Sequence, residues 1–167
     1  MLPVDRSTNS QLGELIVEHQ FIAESLRRCW SLDVTDVEVL RSEIDTFGYD
    51  LVMARGAIVR HIQLKSSVLG GKTDQIKIGL RLSEKPSGGV NWIIVTKDLQ
   101  FDHFLWLGGS PGEALRDIRG WKVAKHTKAN AQGTKTSRAG HRLARRAQFE
   151  RIDTIHEVLV RLLGPLQ

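Results

Sequence analysis

The sequence contains a single cysteine and no long hydrophobic run, and each scarcity limits what the chain can be. Cys29 has no second cysteine to pair with, which excludes an internal disulfide framework and favours a reducing compartment. No apolar stretch approaches the ~20 residues that a membrane-spanning helix needs. The N-terminus also lacks a basic segment followed by an apolar one. These absences predict a soluble, cytoplasmic protein with no membrane partner.

The length favours one domain. The chain has 167 residues, of which 41% are hydrophobic, enough to bury one core and too few for two comfortable ones. No internal repeat divides it. We therefore expect a single domain over residues 1–167, which includes a basic loop and helix region at residues 119–151.

Charge is distributed unevenly along the chain. Residues 1–50 hold four basic and ten acidic side chains, a balance of minus six, whereas residues 51–167 hold 20 and nine, a balance of plus eleven. Within residues 119–151, ten Lys or Arg side chains accompany Glu150 as the only acid. Clustered cations bind polyanions because neutralising phosphates releases counterions. The basic region therefore predicts a nucleic-acid-binding surface.

Residues 125–138 are poor in large apolar side chains and rich in small polar ones, which predicts an extended or mobile loop. Hydroxyl, amide and cationic groups of this kind bond phosphate oxygens without reading bases. The predicted nucleic-acid contacts are Lys122, Lys125, His126, Lys128, Lys135, Arg138, Arg142, Arg145 and Arg146. For His126 and His141, general base, phosphate contact and plain polar surface all remain open.

The most specific chemical pattern lies between residues 48 and 67. Asp50 opens an apolar run, Arg55-Gly56 suits a hairpin turn, and the next strand carries Gln63 and Lys65 on one face. Carboxylate and amide oxygens are ligands of Mg²⁺, and a lysine supplies positive charge where phosphoryl charge develops. The pattern predicts a metal-dependent phosphodiesterase site. The alternative is an ordinary surface hairpin.

The run from Gly48-Tyr49-Asp50 to Gln63-Leu64-Lys65 resembles the central motif of the PD-(D/E)XK nuclease superfamily. The resemblance is to the Gln-x-Lys variant of Mrr-like restriction endonucleases, with kinship to archaeal Holliday-junction resolvases, and it covers roughly residues 10–100. No proline precedes Asp50 here, and Gln63 replaces the usual acid. The resemblance implies an α/β, restriction-endonuclease-like fold. That fold has an αβββαβ core, a central mixed sheet flanked by helices, and here a C-terminal helix packed on the core.

The resemblance also implies a helical glutamate that joins the aspartate and the glutamine at Mg²⁺ or Mn²⁺. A helix over residues 10–28 is predicted by a mostly apolar stripe at helical spacing, namely Leu12, Leu15, Ile16, His19, Ile22, Ala23 and Leu26. Its cap candidates are Ser7, Thr8, Asn9 and Ser10. Glu18 lies beside the stripe and is expected to lean toward the sheet, with Glu14 as second choice. The implied metal ligands are Glu18, Asp50 and Gln63, and Lys65 completes the implied catalytic set.

Periodicity predicts the elements that follow the motif. Ile76 and Leu80, with Lys77 and Arg81 among them, predict a short amphipathic helix. The β-branched and aromatic segments 90–96 and 101–107 predict strands. A last helix is predicted from residue 142 or 147 to residue 163.

These features together predict a Mg²⁺-dependent DNA endonuclease, a hydrolase of phosphodiester bonds that grips DNA with its basic region. A homodimer is a possible assembly, because two copies cut both strands of a duplex more easily than one. The competing hypothesis is a catalytically inactive nucleic-acid-binding or scaffold protein on the same fold. It is motivated by Gln63, which removes a negative charge from the site.

Overall fold

The computed structural model describes residues 10–167, which contain two α-helices, nine strands and two short 3-10 helices. Helix α1 is Ser10–Ser31 and helix α2 is Ile155–Leu163. The strands are β1 (Val37–Arg41), β2 (Leu51–Arg55), β3 (Ile58–Val68), β4 (Gln75–Gly79), β5 (Gly88–Val95), β6 (Phe101–Gly108), β7 (Val123–Lys125), β8 (Ser137–Arg145) and β9 (Glu150–Ile152). The 3-10 helices are Leu80–Glu84 and Arg146–Gln148. Within the described chain, neither helix has the length and apolar character needed to cross a membrane.

Six strands form a mixed sheet in the order β1-β2-β3-β5-β6-β9. β3 and β5 run parallel, and the other neighbours are antiparallel. The β2–β3 hairpin turns at Gly56, whose φ of +57° lies in the left-handed region that glycine adopts at little cost. The chain order from α1 to β3 matches the start of the predicted core. The crossover to β5 does not, since it contains β4 and a 3-10 helix instead of an α-helix.

The predicted amphipathic helix at residues 76–81 is wrong. Ile76 and Ile78 are buried while Lys77 between them is only half-buried, and this period of two is typical of a strand. The segment forms β4, which pairs antiparallel with β8, and β8 pairs in turn with β7. The result is a second, three-stranded sheet.

The two faces of the six-stranded sheet are covered differently. Both helices pack on one face, where Val17 and Phe21 of α1 meet Leu159 of α2 in the first core cluster. The three-stranded sheet packs on the other face, where Ile78 meets Trp92 in the second cluster. The C-terminal helix thus packs on the core as predicted. The expectation of a sheet flanked by helices is wrong for the second face, because a sheet covers it.

The last helix is much shorter than predicted. Residues up to Arg145 belong to β8, and β9 pairs with β6 at the sheet edge before the helix begins. Thr154 starts α2 through a capping box, in which its hydroxyl accepts the N–H of Glu157 and the Glu157 carboxylate accepts the N–H of Thr154. The Thr-x-x-Glu spacing is the sequence signal that fixes this start.

Helix α1 forms where predicted, but it meets the sheet with a different face. Its buried residues are Val17, Phe21, Ser25 and Cys29, spaced four apart. Most of the apolar stripe predicted to face the core is exposed, including Leu12, Leu15, Ile16 and Leu26. Periodicity identifies the helix, but it does not say which of two apolar faces packs on the sheet. Three of the four predicted cap candidates, at residues 7–9, lie outside the described residues.

Candidate active site

The site lies where β3 extends beyond the end of its neighbour β2. β2 pairs only with Ile58–Ile62, so the rest of β3 has a strand on one side alone within residues 10–167. The first half of α1 lies beside this open edge. Between them is a cleft of about 160 Å³, lined by Glu14, Val17, Glu18, Asp50, Leu64, Lys65 and Ser66.

Asp50 ends the ladder between β2 and β3. Its N–H donates to the carbonyl of Ile62 at 2.9 Å, which places Asp50 across from Gln63, as the hairpin predicts. Its Oδ2 accepts a hydrogen bond from the N–H of Leu64 at 2.7 Å. The carboxylate thus takes the place of the backbone carbonyl that would bond Leu64 if the β2–β3 ladder continued. Burial raises the pKa of Asp50, against the lowering effects of the Leu64 N–H and the Lys65 charge. A partly buried carboxylate of this kind in a cleft marks a candidate functional site.

Both glutamates predicted on α1 line the cleft, and they differ in burial. The Glu18 side chain is 18% exposed, and its Oε1 accepts a hydrogen bond from Arg41 Nε at 2.5 Å. Glu14 is exposed. The Glu18 charge also contributes to the raised pKa of Asp50, so the two carboxylates lie within electrostatic reach. Burial and this coupling favour Glu18 over Glu14. Arg41, its partner, was not singled out from the sequence.

Gln63 and Lys65 lie on the face of β3 that looks toward the three-stranded sheet. Their partners across the parallel pair are Val90 and Trp92, both in the second core cluster. Gln63 is buried, and its Oε1 has no hydrogen-bond partner. Leaving a buried polar atom unpaired costs ~1–3 kcal/mol. The backbone register sets Gln63 opposite Asp50, but Gln63 is not among the residues that line the cleft.

This donor set suits a hard divalent cation. Glu18 and Asp50 supply carboxylates to the cleft, Gln63 has a free carbonyl oxygen and stands opposite Asp50 in the ladder, and Mg²⁺ completes such a set with water and phosphate oxygens. Among residues 10–167 there is no group of three or more His, Cys, Asp or Glu side chains that could hold a metal. Any metal at this cleft would thus depend on two carboxylates and an amide, not on a carboxylate cluster.

A close approach of two glycines brings the three-stranded sheet to the cleft. Gly48 has a φ of +75°, and a Cβ on it would lie 3.1 Å from the Cα of Gly79. A Cβ on Gly79 would lie 3.2 Å from the Cα of Gly48. Gly79 ends β4 and pairs with His141 of β8. Side chains at either glycine would push β4 and His141 away from the segment that leads into Asp50.

The sequence left the role of His141 open, and the structure places this residue near the cleft. Asp45 and Lys65 act electrostatically on both Asp50 and His141. Burial is the main reason that the pKa of His141 is lowered, and its Nδ1 is buried without a hydrogen-bond partner. His141 and Asp45 therefore extend the charged surroundings of Lys65. Asp45, five residues before Asp50, is the additional acid that the sequence offers, whereas the sequence distance of His141 from the motif explains why no local pattern indicated its position.

The basic region of residues 119–151 forms strands, a loop and the 3-10 helix Arg146–Gln148, and the α-helix predicted to begin within it is absent. Residues 126–136 have no regular structure, as predicted, while β7 and β8 flank them. Lys77 of β4 donates to Thr127 Oγ1 at 3.1 Å and so ties the loop to the sheet. The exposed predicted contacts are Lys122, Lys125, His126, Lys128, Lys135, Arg138 and Arg145. They remain predictions as DNA contacts.

Two other predicted contacts are engaged within the protein. Arg142 donates to the carbonyl of Arg119 at 3.1 Å. Arg146 donates to the carbonyl of Thr73 at 3.0 Å and lies over the Trp92 ring at 4.8 Å. These two arginines tie the end of β8 to the segments that precede β7 and β4. Their structural roles make them poorer candidates for phosphate binding than the exposed cations.

No family model matches the sequence, and no curated protein matches it. Among solved structures, the chain is similar to the bacterial homing endonuclease I-Ssp6803I, with 21% sequence identity and a TM-score of 0.37. The alignment covers 59% of this chain and 64% of the other, which is less than two thirds of the neighbour's length. A likeness this distant carries no argument about the site.

Proposed function

We propose that this protein is a metal-dependent DNA endonuclease of the PD-(D/E)XK type. The observation that carries the proposal is the cleft at the open edge of β3, which is lined by Glu18, Asp50 and Lys65, with Gln63 opposite Asp50 in the ladder. Paired carboxylates and a lysine next to a basic surface suit hydrolysis of a phosphodiester. The exposed cations of β7, β8 and the loop between them would hold the DNA backbone.

Each residue has a distinct role in this proposal. Glu18, Asp50 and Gln63 would hold Mg²⁺ or Mn²⁺, which when bound supplies positive charge against the scissile phosphate. Lys65 would orient the attacking water and either accept its proton or stabilise charge on the phosphate oxygens. The Leu64 N–H fixes the Asp50 carboxylate toward the cleft.

A second candidate is a nucleic-acid-binding protein on the same scaffold that does not cut. Two observations favour it: Gln63 is neutral where the resembled motif has an acid, and Glu18 is already paired with Arg41. A guanidinium on one of two acids weakens the site as a metal ligand set. Both candidates require the basic surface, so DNA binding alone does not separate them.

A cleavage assay separates the two candidates. Wild type would be incubated with supercoiled, linear, branched and modified DNA in Mg²⁺, in Mn²⁺ and in chelator, with binding measured in parallel. We expect metal-dependent cleavage that Asp50→Asn and Lys65→Met each abolish without loss of DNA affinity. Asp36→Asn and Lys72→Met are exposed controls away from the cleft. Binding without cleavage of any substrate would favour the second candidate, and cleavage unchanged in both cleft variants would remove this site from the chemistry.

A further inference from the structure

Within residues 10–167, Arg41 is the one arginine that bonds an acid of the cleft. Its Nε donates to Glu18 Oε1 at 2.5 Å and so joins β1 to α1. The Glu18 side chain is 18% exposed, less than any other acid in the ion pairs of the described chain. The Arg41 side chain is 50% exposed. A half-exposed arginine therefore holds a mostly buried acid of the proposed metal site.

The strand pairing explains why Arg41 reaches this acid. Arg41 ends β1 and lies opposite Leu51, whose side chain is buried in the first core cluster. Residues opposite each other in an antiparallel pair point to the same side of the sheet, so Arg41 points toward α1. The next residue, Ser42, donates its N–H to the carbonyl of Asp50 at 2.9 Å. The backbone of Arg41 is therefore fixed beside the second acid of the proposed metal site.

A divalent cation and the Arg41 guanidinium compete for the same carboxylate. The cleft is lined by three carboxylates and one ammonium group, a formal balance of minus two, from Glu14, Glu18, Asp50 and Lys65. Arg41 supplies one compensating charge at Glu18. Mg²⁺ would supply two, and at about 2.1 Å from a carboxylate oxygen it would repel a guanidinium bonded to the same group. Metal binding would therefore favour release of Arg41.

We infer, on the basis of the proposed endonuclease function, that Arg41 leaves Glu18 when metal binds and then holds a DNA phosphate beside the scissile one. A guanidinium presents a planar fork of donors that matches two oxygens of a phosphate. Half of the side chain is already exposed, so the exchange requires side-chain rotation and no movement of the strands. Metal and DNA bind cooperatively, because the metal replaces Arg41 at Glu18 and the phosphate replaces Glu18 at Arg41.

The first test measures metal affinity without DNA. Calorimetric titration of the full chain with Mg²⁺ should show tighter binding by Arg41→Gln than by wild type, because the competing guanidinium is gone. The expected gain is at least about 5-fold, the lower end of ordinary coupling between two ligands. Arg27→Gln is the matched control, because it removes an arginine–glutamate pair elsewhere, that of Arg27 with Glu24. Equal or weaker Mg²⁺ binding by Arg41→Gln would overturn the exchange, since Arg41 would then be a fixed support of Glu18.

The second test measures DNA affinity in a Lys65→Met background, which is expected to bind a labelled duplex without cutting it. Arg41→Gln should weaken binding by about 10-fold or more in Mg²⁺, as for loss of a charge-assisted hydrogen bond. The loss should be much smaller in chelator, where Arg41 stays on Glu18. Arg41→Lys should recover part of the affinity, because it keeps the charge without the planar fork. Equal losses with and without Mg²⁺, or no loss beyond that of Arg27→Gln, would overturn the phosphate contact.

The two tests separate this role of Arg41 from the nuclease proposal, because neither measures cleavage. If wild type binds Mg²⁺ and Arg41→Gln changes neither affinity, Arg41 has no part in the exchange and the nuclease proposal still stands. If neither protein binds Mg²⁺, the metal site and the exchange are both overturned.

Discussion

The two faces of the six-stranded sheet bring different charged groups to the site. On the helical face, α1 brings Glu14 and Glu18 to the cleft. On the other face, the three-stranded sheet and its loop present seven exposed basic or histidine side chains. The two faces meet at the open edge of β3, because its residues alternate between them beyond the end of β2. The chain can therefore combine acidic and basic groups at one place while keeping each set on its own scaffold.

This separation predicts that the cleft side chains determine the cleavage rate and that the exposed cations determine the affinity for DNA. The cleft side chains are partly buried and few, so they act on the reacting phosphate alone. The exposed cations are spread over a sheet and a loop, and they contact substrate and transition state alike. Groups that bind both states equally change affinity without changing the chemical step. Variants on the two faces should thus change different measured quantities.

After the loss of cleavage expected for Asp50→Asn and Lys65→Met, the largest effect is expected for Glu18→Gln. Removing one charge from the proposed metal-binding pair should lower the rate at saturating DNA by ~10²- to 10³-fold, the usual cost of losing one transition-state electrostatic contact. Glu14→Gln is the matched control, since Glu14 lines the same cleft but is exposed. Single-turnover cleavage would measure both. If Glu14→Gln were the more damaging, the helical acid would be assigned to the wrong residue.

The next largest effect is expected on stability, at the contact between Gly48 and Gly79. Gly79→Ala places a Cβ about 3.2 Å from the Cα of Gly48, against backbone that cannot easily yield. We expect the free energy of unfolding to fall by ~1–3 kcal/mol, as for other overpacked sites. Gly140→Ala on β8 is the control, because nothing lies within 4 Å of a Cβ there. Urea unfolding of both variants would measure this difference in the free energy of unfolding. If the two variants were equally stable, the contact between Gly48 and Gly79 would not be what positions the three-stranded sheet.

The sequence predicted the parts of the site that are close together in the chain. Asp50 and Gln63 are brought together by one hairpin, and both its turn and its strand period are visible in the residues. His141 and Gly79 are brought together by pairing between distant strands, which no local pattern encodes. The Ile76–Ile78 alternation was available but was masked by Leu80 and Arg81, which suggested a helical spacing. For α1 the period was correct and the face was wrong, because two apolar stripes compete and only packing chooses between them.

A smaller effect is expected on the basic face. Lys125→Ala combined with Lys128→Ala removes two exposed cations, and each lost phosphate contact should flatten the dependence of log K on log salt by about 0.9, or ~1.8 for both. Cleavage at saturating DNA should be nearly unchanged. Arg27→Ala with Lys72→Ala removes the same charge elsewhere on the surface. Identical slopes in the two double variants would show that the loop is simply solvated and that DNA binds on another surface.

The smallest effect is on stability, and it tests the cleft without any DNA. Burial raises the pKa of Asp50 in the folded protein, so the folded state holds this proton more tightly than the unfolded state does. The contribution of Asp50 to stability is therefore highest when Asp50 is protonated. This contribution falls as the pH rises from the pKa of Asp50 in the unfolded state through its pKa in the folded state. Each unit of difference corresponds to about 1.4 kcal/mol. Asp50→Asn removes this dependence while its amide oxygen can still accept the Leu64 N–H.

In chelator, Asp50→Asn should therefore be more stable than wild type at neutral pH, and the difference should vanish in acid. Adding Mg²⁺ should stabilise the wild type relative to the variant, because a ligand at ten times its dissociation constant stabilises the wild type by about 1.4 kcal/mol and gives the variant little. Asp36→Asn, at an exposed ion pair with Arg55, is the control for loss of a carboxylate. Thermal unfolding of the wild type, Asp50→Asn and Asp36→Asn, with and without Mg²⁺, measures these differences in stability. If Mg²⁺ did not change the melting temperature of the wild type, the cleft would not be a metal site. The nucleic-acid-binding role of the basic face would then be the only part of the proposal to stand.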